Sequence, residues 1–379
     1  MSTPNTVTNE DAYPQTLRFA LVGVGANIAP QHLQALAGTH GATLVAACDV
    51  NPAAAERVAA ADEVAFYTDV QRMLDDAAPD VVSVLTPHPF HEAVALAALE
   101  AGAHVLVEKP IAVTASEADA MIAAAERYGR TLAVSFQHRF SPLTERLKAW
   151  VEAGELGDVT RVAVSEPWLR TAAYFRIASW RATWRGEGGG VLLNQAPHAL
   201  DLLTYLFGLP ARVSGLTRTL RHGTECEDTA HALLEWDGGA VGYFGSSTTE
   251  PETGRRVEIV GDLGQVRVDG DTVWRTDYTP GLREHAASDP APFGQPRFEQ
   301  REPLSLTASA SHAPVYADLV AAIKDRRSPR CDGRGGRESL ELANAIALSS
   351  WLERPVTLPL DRAAYDAALE ERRAASAVG

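Results

Sequence analysis

Short apolar runs alternate with amphipathic segments along the first 140 residues of the chain. Each run is short enough to be a strand that is buried on both faces. The runs are Leu17–Val22, Leu44–Asp49, Val81–Leu85, His104–Val107 and Thr131–Phe136. Segments with helical spacing lie between them, and some end at a glycine, which suits the end of a helix. This alternation predicts a doubly wound parallel sheet over residues 17–140.

The pattern changes after residue 140. Helices are predicted at Leu143–Ala153, Val191–Phe207, Pro314–Arg326 and Arg337–Trp351. Most of the strand-like runs follow each other without helices between them, as the strands of antiparallel hairpins do. These runs are Val159–Val164, Ala211–Leu220, Thr229–Trp236, Ala240–Ser247, Arg255–Val260 and Gln265–Val268. Residues 141–379 are therefore predicted to form a second α/β domain with a large, mostly antiparallel open sheet.

Two segments lack a clear period. Residues 1–16 are rich in Thr, Asn and Pro, and we expect them to form a mobile amino-terminal arm. The segment Tyr278–Pro303 is rich in Pro and Gly and is long for a plain connection. Long irregular segments are often functional, so a lid or an intersubunit arm is predicted there.

Composition narrows the class of protein. A chain of 379 residues favours two domains, and its net charge of -15 argues against binding to a nucleic-acid backbone. The three cysteines are far apart in sequence, which favours free thiols over disulfides or a metal site. No apolar run is long enough to span a bilayer, and no secretory signal is present. We therefore expect a cytoplasmic protein that binds small molecules.

A glycine turn follows the first strand. Gly23 and Gly25 come directly after that strand, and a helix is predicted to begin near Pro30. Glycines in this context let the backbone approach a pyrophosphate, which then faces the positive end of the helix. Ile28 occupies the place of the third glycine of the usual fingerprint. The turn predicts a dinucleotide site, and a plain strand–turn–helix is the alternative.

Asp49 ends the second strand at about the distance expected from the glycine turn. A carboxylate there can accept hydrogen bonds from ribose hydroxyls and repels a 2′-phosphate. Val50 and Asn51 follow, so no cation stands beside it to bind a phosphate. The sequence favours NAD over NADP, and the alternative is that Asp49 is only a loop acid.

Two charged residues, Glu108 and Lys109, end the strand His104–Val107 and precede Pro110. Ligands of open α/β sheets bind at the carboxyl ends of the strands, so this pair marks a candidate site. A solvated strand exit is the plain alternative. The Lys109–Pro110 bond is predicted to be cis, because proline lowers the preference for trans.

In order and spacing, these residues resemble the glucose–fructose oxidoreductase and inositol dehydrogenase (Gfo/Idh/MocA) family from Leu17 to about Leu360. The matching motifs are Gly23-Val-Gly25, Thr86-Pro87 with His91, Glu108-Lys109-Pro110, Gln137 with Arg139-Phe140, and Gly-Gly-Gly-Val-Leu-Leu-Asn-Gln-Ala-Pro-His at 188–198. The resemblance implies an NAD-binding Rossmann domain at 17–140 and a substrate-binding and oligomerisation domain at 141–379. It implies a homodimer or homotetramer formed through the outer face of the second sheet. The implied cofactor-binding residues are Gly23, Gly25, Asn27, Ile28, Asp49, Thr86, Pro87, His91, Glu108, Lys109 and Gln137.

The resemblance also implies a catalytic set of Lys109, His198 and Asn194. On the predicted helix Val191–Phe207, Asn194 and His198 are four residues apart and share a face. His198 occupies the family's catalytic-histidine position, and an ordinary histidine pKa suits a base near neutral pH. Lys109 can hydrogen-bond the substrate oxygen and, with a depressed pKa, take its proton. Many relatives have an aspartate where this chain has Asn194, which can position a hydroxyl but cannot exchange a proton.

Substrate binding is predicted for Arg139 and Trp184, together with the three catalytic residues. Aromatic faces and guanidinium groups suit a carbohydrate pocket, although Trp184 could equally pack in the core. Other residues are similarly open between a pocket and packing: Arg170, Tyr174, Arg176, Trp180, Arg181 and Arg185.

The predicted function is NAD-dependent oxidation of a secondary hydroxyl of a sugar, glycoside or cyclitol. One alternative is a non-catalytic, nucleotide-responsive regulator on the same fold. Another is an enzyme that uses transient oxidation for epimerisation or glycoside cleavage. The presence of both Lys109 and His198 favours an enzyme. The expected ligand is a small carbohydrate or cyclitol, with no nucleic acid, membrane or metal.

Overall fold

A computed structural model describes residues 14–59 and 63–376, so residues 1–13 of the predicted arm lie outside the described part. The first sheet has six parallel strands: β1 (Leu17–Val22), β2 (Ala42–Cys48), β3 (Ala65–Tyr67), β4 (Val81–Val84), β5 (His104–Val107) and β6 (Leu132–Val134). Their order is β3-β2-β1-β4-β5-β6, which confirms the predicted doubly wound sheet. The order reverses between β1 and β4, the switch point at which ligands of such sheets bind.

Helices accompany this sheet: α1 (Ala29–Ala37), α2 (Val70–Ala77), α3 (His91–Glu100) and α4 (Ala115–Tyr128). β4 and β5 are buried along their whole length, and all of their residues except Ser83 and His104 are apolar, as suits strands covered on both faces. At the start of α4, Thr114 and Glu117 form a capping box that satisfies amides of the first turn. Gly129 ends the same helix in the left-handed conformation, with φ 63°.

The second sheet contains ten strands: β7 (Val159–Pro167), β8 (Arg212–Arg218), β9 (Thr229–Glu235), β10 (Val241–Ser247), β11 (Arg256–Gly261), β12 (Gly264–Asp269), β13 (Thr272–Thr279), β14 (Arg297–Gln300), β15 (Leu304–Ser305) and β16 (Val356–Thr357). Their order is β14-β13-β12-β11-β7-β10-β9-β8-β16, and β15 pairs with β13. The β7–β10 pair is parallel and the other pairs are antiparallel. The predicted large, mostly antiparallel sheet is therefore confirmed.

The remaining helices are α5 (Pro142–Glu152), α6 (Ala172–Phe175), α7 (Val191–Asn194), α8 (Pro197–Phe207), α9 (Leu282–Ser288), α10 (Ala313–Lys324), α11 (Gly333–Leu352) and α12 (Arg362–Ala375). Helices α8 and α11 pack on the second sheet, and α11 also reaches β6 of the first. A Cβ on Gly336 of α11 would lie 2.4 Å from a methyl carbon of Val134, so only glycine permits this approach. Helix α10 contributes Val315, Tyr316 and Leu319 to the core of the first sheet, so packing crosses the predicted boundary at residue 140.

Two sequence predictions about elements are wrong. The segment Tyr278–Pro303, predicted as an irregular lid or intersubunit arm, contains α9 and the strand β14, which extends the edge of the second sheet. The predicted helix Val191–Phe207 is two helices, α7 and α8, separated at Gln195 and Ala196. Pro197 explains the break, since it has no amide hydrogen and its ring would collide with the carbonyl of Leu193 in a continuous helix. Within residues 14–59 and 63–376, no helix combines the length and apolar character needed to cross a bilayer.

Candidate active site

Lys109 lies at the carboxyl end of β5, and its bond to Pro110 is cis, as predicted. Its Nζ donates a 2.9 Å hydrogen bond to the main-chain carbonyl of Asn194. Burial lowers the pKa of the Lys109 ammonium, and the carboxylates of Glu108 and Glu187 offset this only in part. The site therefore holds an amine that gives up its proton more readily than an exposed lysine does.

The break between α7 and α8 makes this contact possible. In a continuous helix, the carbonyl of Asn194 would accept the amide hydrogen of His198. Because α8 begins only at Pro197, that carbonyl accepts the Lys109 ammonium instead. Asn194 and His198 do not share the face of one helix, which corrects the prediction from their spacing.

The side-chain amide of Asn194 is held by neighbouring protein groups. Its Nδ2 donates to the carboxylate of Glu187, and its Oδ1 accepts from the hydroxyl of Tyr174 and from Nε2 of Gln195, both at 3.0 Å. Glu187 is buried, which raises the pKa of its carboxyl group. The sequence predicts that Asn194 fixes a substrate hydroxyl, but it does not indicate that these protein groups bind its side chain. The only sequence signal for Glu187 was its position just before the three glycines.

His198 stacks on His138, with ring centroids 4.1 Å apart and an interplanar angle of 7°. Burial lowers the pKa of His198 well below its usual range, and the charges of His138 and Lys109 lower it further. Burial likewise lowers the pKa of His138 to about 3, so both rings are neutral at physiological pH. Nδ1 of each ring is buried and has no hydrogen-bond partner among the described residues. His138 was not predicted, and only its place beside Gln137 could have indicated it.

The glycine turn lies against the loop after β4 and against Asp49. A Cβ on Gly23 would come within 2.7 Å of the amide nitrogen of Thr86, and one on Gly25 within 2.8 Å of Asp49 Oδ2. The Asp49 carboxylate accepts hydrogen bonds from the amides of Gly25, at 2.8 Å, and Asn51, at 2.9 Å. Each carboxylate oxygen has two lone pairs, so Asp49 can still accept from a ribose.

The edge of the first sheet also offers unsatisfied groups that fit a dinucleotide. The amides of Asn27 and Ile28, at the start of α1, have no hydrogen-bond partner among the described residues, so they can donate to phosphate. Thr86 Oγ1, after β4, and Gln137 Oε1, after β6, are buried and likewise lack partners in the described part of the chain. Buried polar groups are normally paired, so this concentration at one edge is the mark of a ligand site. Pro87 lies in the same loop as Thr86.

His91 has a different role from the predicted contact with cofactor. Its ring is fully buried, with Nδ1 2.9 Å from the carbonyl of Pro110 and Nε2 2.8 Å from the carbonyl of Thr86. Both nitrogens are therefore occupied by the backbone of the two loops that flank the site. His91 therefore holds these two loops together.

Glu108 also turns away from the predicted cofactor site. Its Oε1 lies 2.9 Å from Nε2 of His32 in α1 and 3.6 Å from Nε2 of His312. Burial alone would raise the pKa of Glu108, but the imidazoles of His312 and His32 hold it well below its usual range. Nδ1 of His32 in turn meets the hydroxyl of Tyr316 at 2.9 Å. The ligand atoms of His32, Glu108 and His312 lie within 4.8 Å of one another, but the direct imidazole–carboxylate bond already pairs the acid without a metal.

The two remaining predicted substrate residues pack inside the protein. Arg139 is buried and donates from Nε and Nη2 to the carboxylate of Asp201, at 2.6–3.1 Å, and from Nη1 to the carbonyl of Arg330. Its guanidinium has no face left for a sugar. Trp184 lies edge-on to Trp351 at 5.7 Å, which supports the packing alternative over the pocket.

A cavity of about 830 Å³ lies at the other end of the first sheet. It is lined by residues at the amino-terminal ends of the strands, among them Asp80, His104 and Thr131. It contains none of Lys109, His198 or Asn194. Ligands of doubly wound sheets bind at the carboxyl ends, so this cavity is not the candidate site.

Comparison with known proteins agrees with the fold. Residues 17–136 match the Gfo/Idh/MocA family model, described as an oxidoreductase family with an NAD-binding Rossmann fold, and residues 144–267 match the C-terminal domain model of that family. D-glucoside 3-dehydrogenase of Escherichia coli K12 is 35% identical over 52% of this chain and 55% of that enzyme, little more than half its length. D-apiose dehydrogenase of Paraburkholderia graminis is 28% identical over 89% of each protein.

Solved structures extend the likeness to the whole fold. The WlbA dehydrogenase of Bordetella pertussis, in complex with NADH and UDP-GlcNAcA, is 30% identical and superposes with a TM-score of 0.78. The alignment covers 92% of this chain and 99% of that one. Both domains match in order, which confirms the predictions of an oxidoreductase and of a nicotinamide dinucleotide cofactor at the level of the family. The chain belongs to the Gfo/Idh/MocA family of oxidoreductases.

Proposed function

We propose that the protein oxidises a secondary hydroxyl group of a sugar, glycoside or cyclitol, with NAD as the hydride acceptor. The observation that carries this proposal is the half-buried Lys109 amine, held on the carbonyl of Asn194 in a cluster with the neutral His198. The similar proteins named as D-glucoside 3-dehydrogenase and D-apiose dehydrogenase support a carbohydrate substrate.

The chemistry requires that a hydroxyl lose its proton as its carbon loses a hydride. NAD, when bound, accepts that hydride. Lys109 in its neutral form takes the hydroxyl proton, and its lowered pKa makes that form accessible. The resulting ammonium stabilises charge on the oxygen as the carbonyl forms. His198 is neutral, and its lowered pKa makes it a poor base. Its role in this proposal is therefore to orient the same hydroxyl.

Residues of the first domain would hold the cofactor. The amides of Asn27 and Ile28 suit the pyrophosphate, Asp49 the adenosine ribose, and Thr86 and Gln137 the groups nearer the nicotinamide. We propose NAD rather than NADP, because Asp49 carries a negative charge where NADP has its phosphate. The double substitution Asp49→Ser with Asn51→Arg should shift the ratio of kcat/KM toward NADP. A wild-type preference for NADP would contradict this assignment.

A screen of sugars, glycosides and cyclitols tests the reaction itself. Formation of NADH is followed by absorbance, and the products are identified by mass spectrometry. A keto product formed with one equivalent of NADH supports the proposal. An epimer or a cleaved glycoside without net NADH would instead indicate transient oxidation, and nucleotide binding without any product would indicate a regulator.

We also propose that two copies pair through the outer face of the second sheet. Leu216, Leu233, Val241 and Tyr243 lie on one face of β8, β9 and β10, and Leu233 is 62% exposed. A sheet face of this kind is a typical interface between copies. Light scattering of the wild type and of Leu233→Glu tests it, with loss of the dimer expected in the variant. A monomeric wild type would contradict the proposal.

A further inference from the structure

We infer that the substrate is a sugar acid whose carboxylate binds to Arg181 and Arg170 beside the catalytic lysine. This inference rests on the proposed oxidation and adds the chemical class of the substrate. Two observations support it. Arg181 and Arg170 both stack on the ring of Tyr174, and the buried Nε of Arg181 has no hydrogen-bond partner among the described residues.

Arg181 is a partly buried cation with donors to spare. Its side chain is 14% exposed, and its Nη1 donates a 2.7 Å hydrogen bond to the hydroxyl of Tyr174. Nε is buried and has no partner in the described part of the chain. The nearest carboxylate oxygen, on Glu187, is 3.9 Å away, and Glu187 already accepts from Asn194 and from the amide of Ala182. A guanidinium has five N–H donors, so Arg181 can bind an anion without losing its present contact.

Arg170 stacks on the same ring. Its guanidinium carbon lies 5.3 Å from the centroid of Tyr174, compared with 4.5 Å for Arg181. It also lies 5.4 Å from the ring of Trp168, whose indole nitrogen is buried without a partner among the described residues. Its ion pair with Glu252, at 3.6 Å, is at the surface, where the glutamate is half-exposed and the pair is weak.

The two cations lie within reach of the reacting groups. The hydroxyl of Tyr174 donates to Asn194 Oδ1, and the main-chain carbonyl of the same asparagine accepts from Lys109. The positive charges of Arg181 and Arg170 both act on Lys109 and favour its neutral form. A carboxylate bound there would therefore place the rest of a small sugar beside the Lys109 amine.

The charge balance favours a carboxylate over a phosphate. When Lys109 is neutral and ready to accept a proton, the two arginines lie beside Glu252, which pairs with Arg170, and beside the buried Glu187, so the site carries at most one positive charge. One carboxylate neutralises that charge, whereas a phosphate dianion exceeds it. The planar fork of a guanidinium also matches a carboxylate in two parallel hydrogen bonds.

Paired substrates test the inference. Hexoses and the matching hexuronates, such as D-glucose and D-glucuronate, are compared with NAD, and D-glucose 6-phosphate is the phosphate control. In the wild type, kcat/KM should be at least about 10-fold higher for the acid, the range expected for a hydrogen bond to a charged group. Arg181→Gln and Arg170→Gln should each lower the acid-to-neutral ratio by about 10- to 100-fold. Arg176→Gln, an exposed arginine of the same segment, is the matched control and should leave the ratio unchanged.

A binding measurement keeps the test independent of turnover and of how the variants fold. Calorimetric titration of the wild-type NADH complex should show tighter binding of D-glucuronate than of D-glucose, and the difference should shrink as salt increases. Equal affinity for acid and neutral sugar, or tighter binding of the phosphate, would overturn the inference. Turnover of neutral sugars alone would also overturn it while leaving the proposed oxidation intact.

Discussion

Two adjacent residues, Glu108 and Lys109, end the same strand and have opposite surroundings. Glu108 faces His32, which is bonded in turn to Tyr316, so the carboxylate has a cationic or donor partner within the core. Lys109 faces a region where the buried polar atoms of several neighbours lack partners, among them Nδ1 of His198. On one side of the strand end, the carboxylate is paired by the direct bond to His32, although Nε2 of His312 has no hydrogen-bond partner within the described chain. The other side is left open for a ligand.

This difference distinguishes polar groups that stabilise the fold from polar groups that bind a ligand, and it uses only the hydrogen bonds of this protein, not a comparison with related proteins. A buried polar group costs free energy unless it is paired, so a fold that only needs stability pairs it. A site that must bind a ligand keeps donors and acceptors unpaired until the ligand arrives. Substitutions on the two sides should therefore change different properties, stability on the Glu108 side and turnover on the Lys109 side.

The largest expected effect is on turnover at Lys109. Lys109→Ala should lower kcat by about 10²- to 10⁴-fold, the usual contribution of an acid–base group. NAD affinity should stay nearly unchanged, because the lost interaction is made chiefly in the transition state. Steady-state kinetics and fluorescence titration with NADH measure the two effects. Lys148→Ala, on α5, is the control with turnover retained, and near-wild-type turnover of Lys109→Ala would place the chemistry elsewhere.

Another buried glutamate, Glu227, extends the comparison to the pH dependence of stability. Glu227 accepts hydrogen bonds from the amides of Gly190 and Leu192 but has no ion pair with any residue that the structure describes, and burial raises its pKa to about 7. Because the pKa is higher in the folded state than in the unfolded state, folding becomes less favourable as pH rises from about 4.5 to 7. Above that window the full cost of the charge remains, at most about 3 kcal/mol.

Glu227→Gln cannot ionise, so its stability relative to the wild type should improve as pH rises through this window. Urea unfolding at pH 5 and pH 8 measures the change, and Glu302→Gln, an exposed glutamate, is the control with no such trend. A constant difference between wild type and Glu227→Gln at both pH values would contradict the assigned pKa.

The sequence was informative wherever the cause is local. The apolar runs located β1, β4, β5 and β6, and the strand ends located the edge at which Lys109 lies. Sequence spacing gave wrong predictions where the hydrogen-bond partners of a residue come from distant segments of the chain. The partners of Glu108 come from α1 and from the residue before α10, more than 200 residues apart in sequence, so no local pattern could show that its carboxylate is already satisfied.

Other errors have equally specific causes. Arg139 was expected to bind substrate, but its partner Asp201 lies 62 residues later, on α8, and becomes its neighbour only in the folded chain. The helical period through residues 191–207 outweighed Pro197 in the prediction, although that proline ends the pattern and frees the carbonyl of Asn194. Glu187 carried no periodic signal at all, because its role depends on contacts between loops.

On the Glu108 side of the strand end, Glu108→Gln should lower the free energy of unfolding by about 2 kcal/mol, as expected for the loss of a hydrogen bond to a charged group. Glu258→Gln removes an exposed ion pair with Arg161 on β7 and is the matched control, with a loss below about 1 kcal/mol. Chemical denaturation at neutral pH measures both. Equal losses would mean that the buried network around Glu108 adds nothing beyond a surface pair.

The smallest expected effect has the opposite sign and concerns Lys109 again. Lys109→Met removes a half-buried amine that makes one hydrogen bond to a carbonyl, and it keeps most of the apolar stem. The lost bond costs roughly 1 kcal/mol, but the desolvation penalty of the amine disappears as well. The free energy of unfolding should therefore stay the same or rise by up to about 1 kcal/mol, while turnover is lost.

Denaturation curves of Lys109→Met and Glu108→Gln, recorded side by side, decide the point. If Lys109→Met loses as much stability as Glu108→Gln, the amine is part of the structural network, and the two sides of the strand end do not differ in kind.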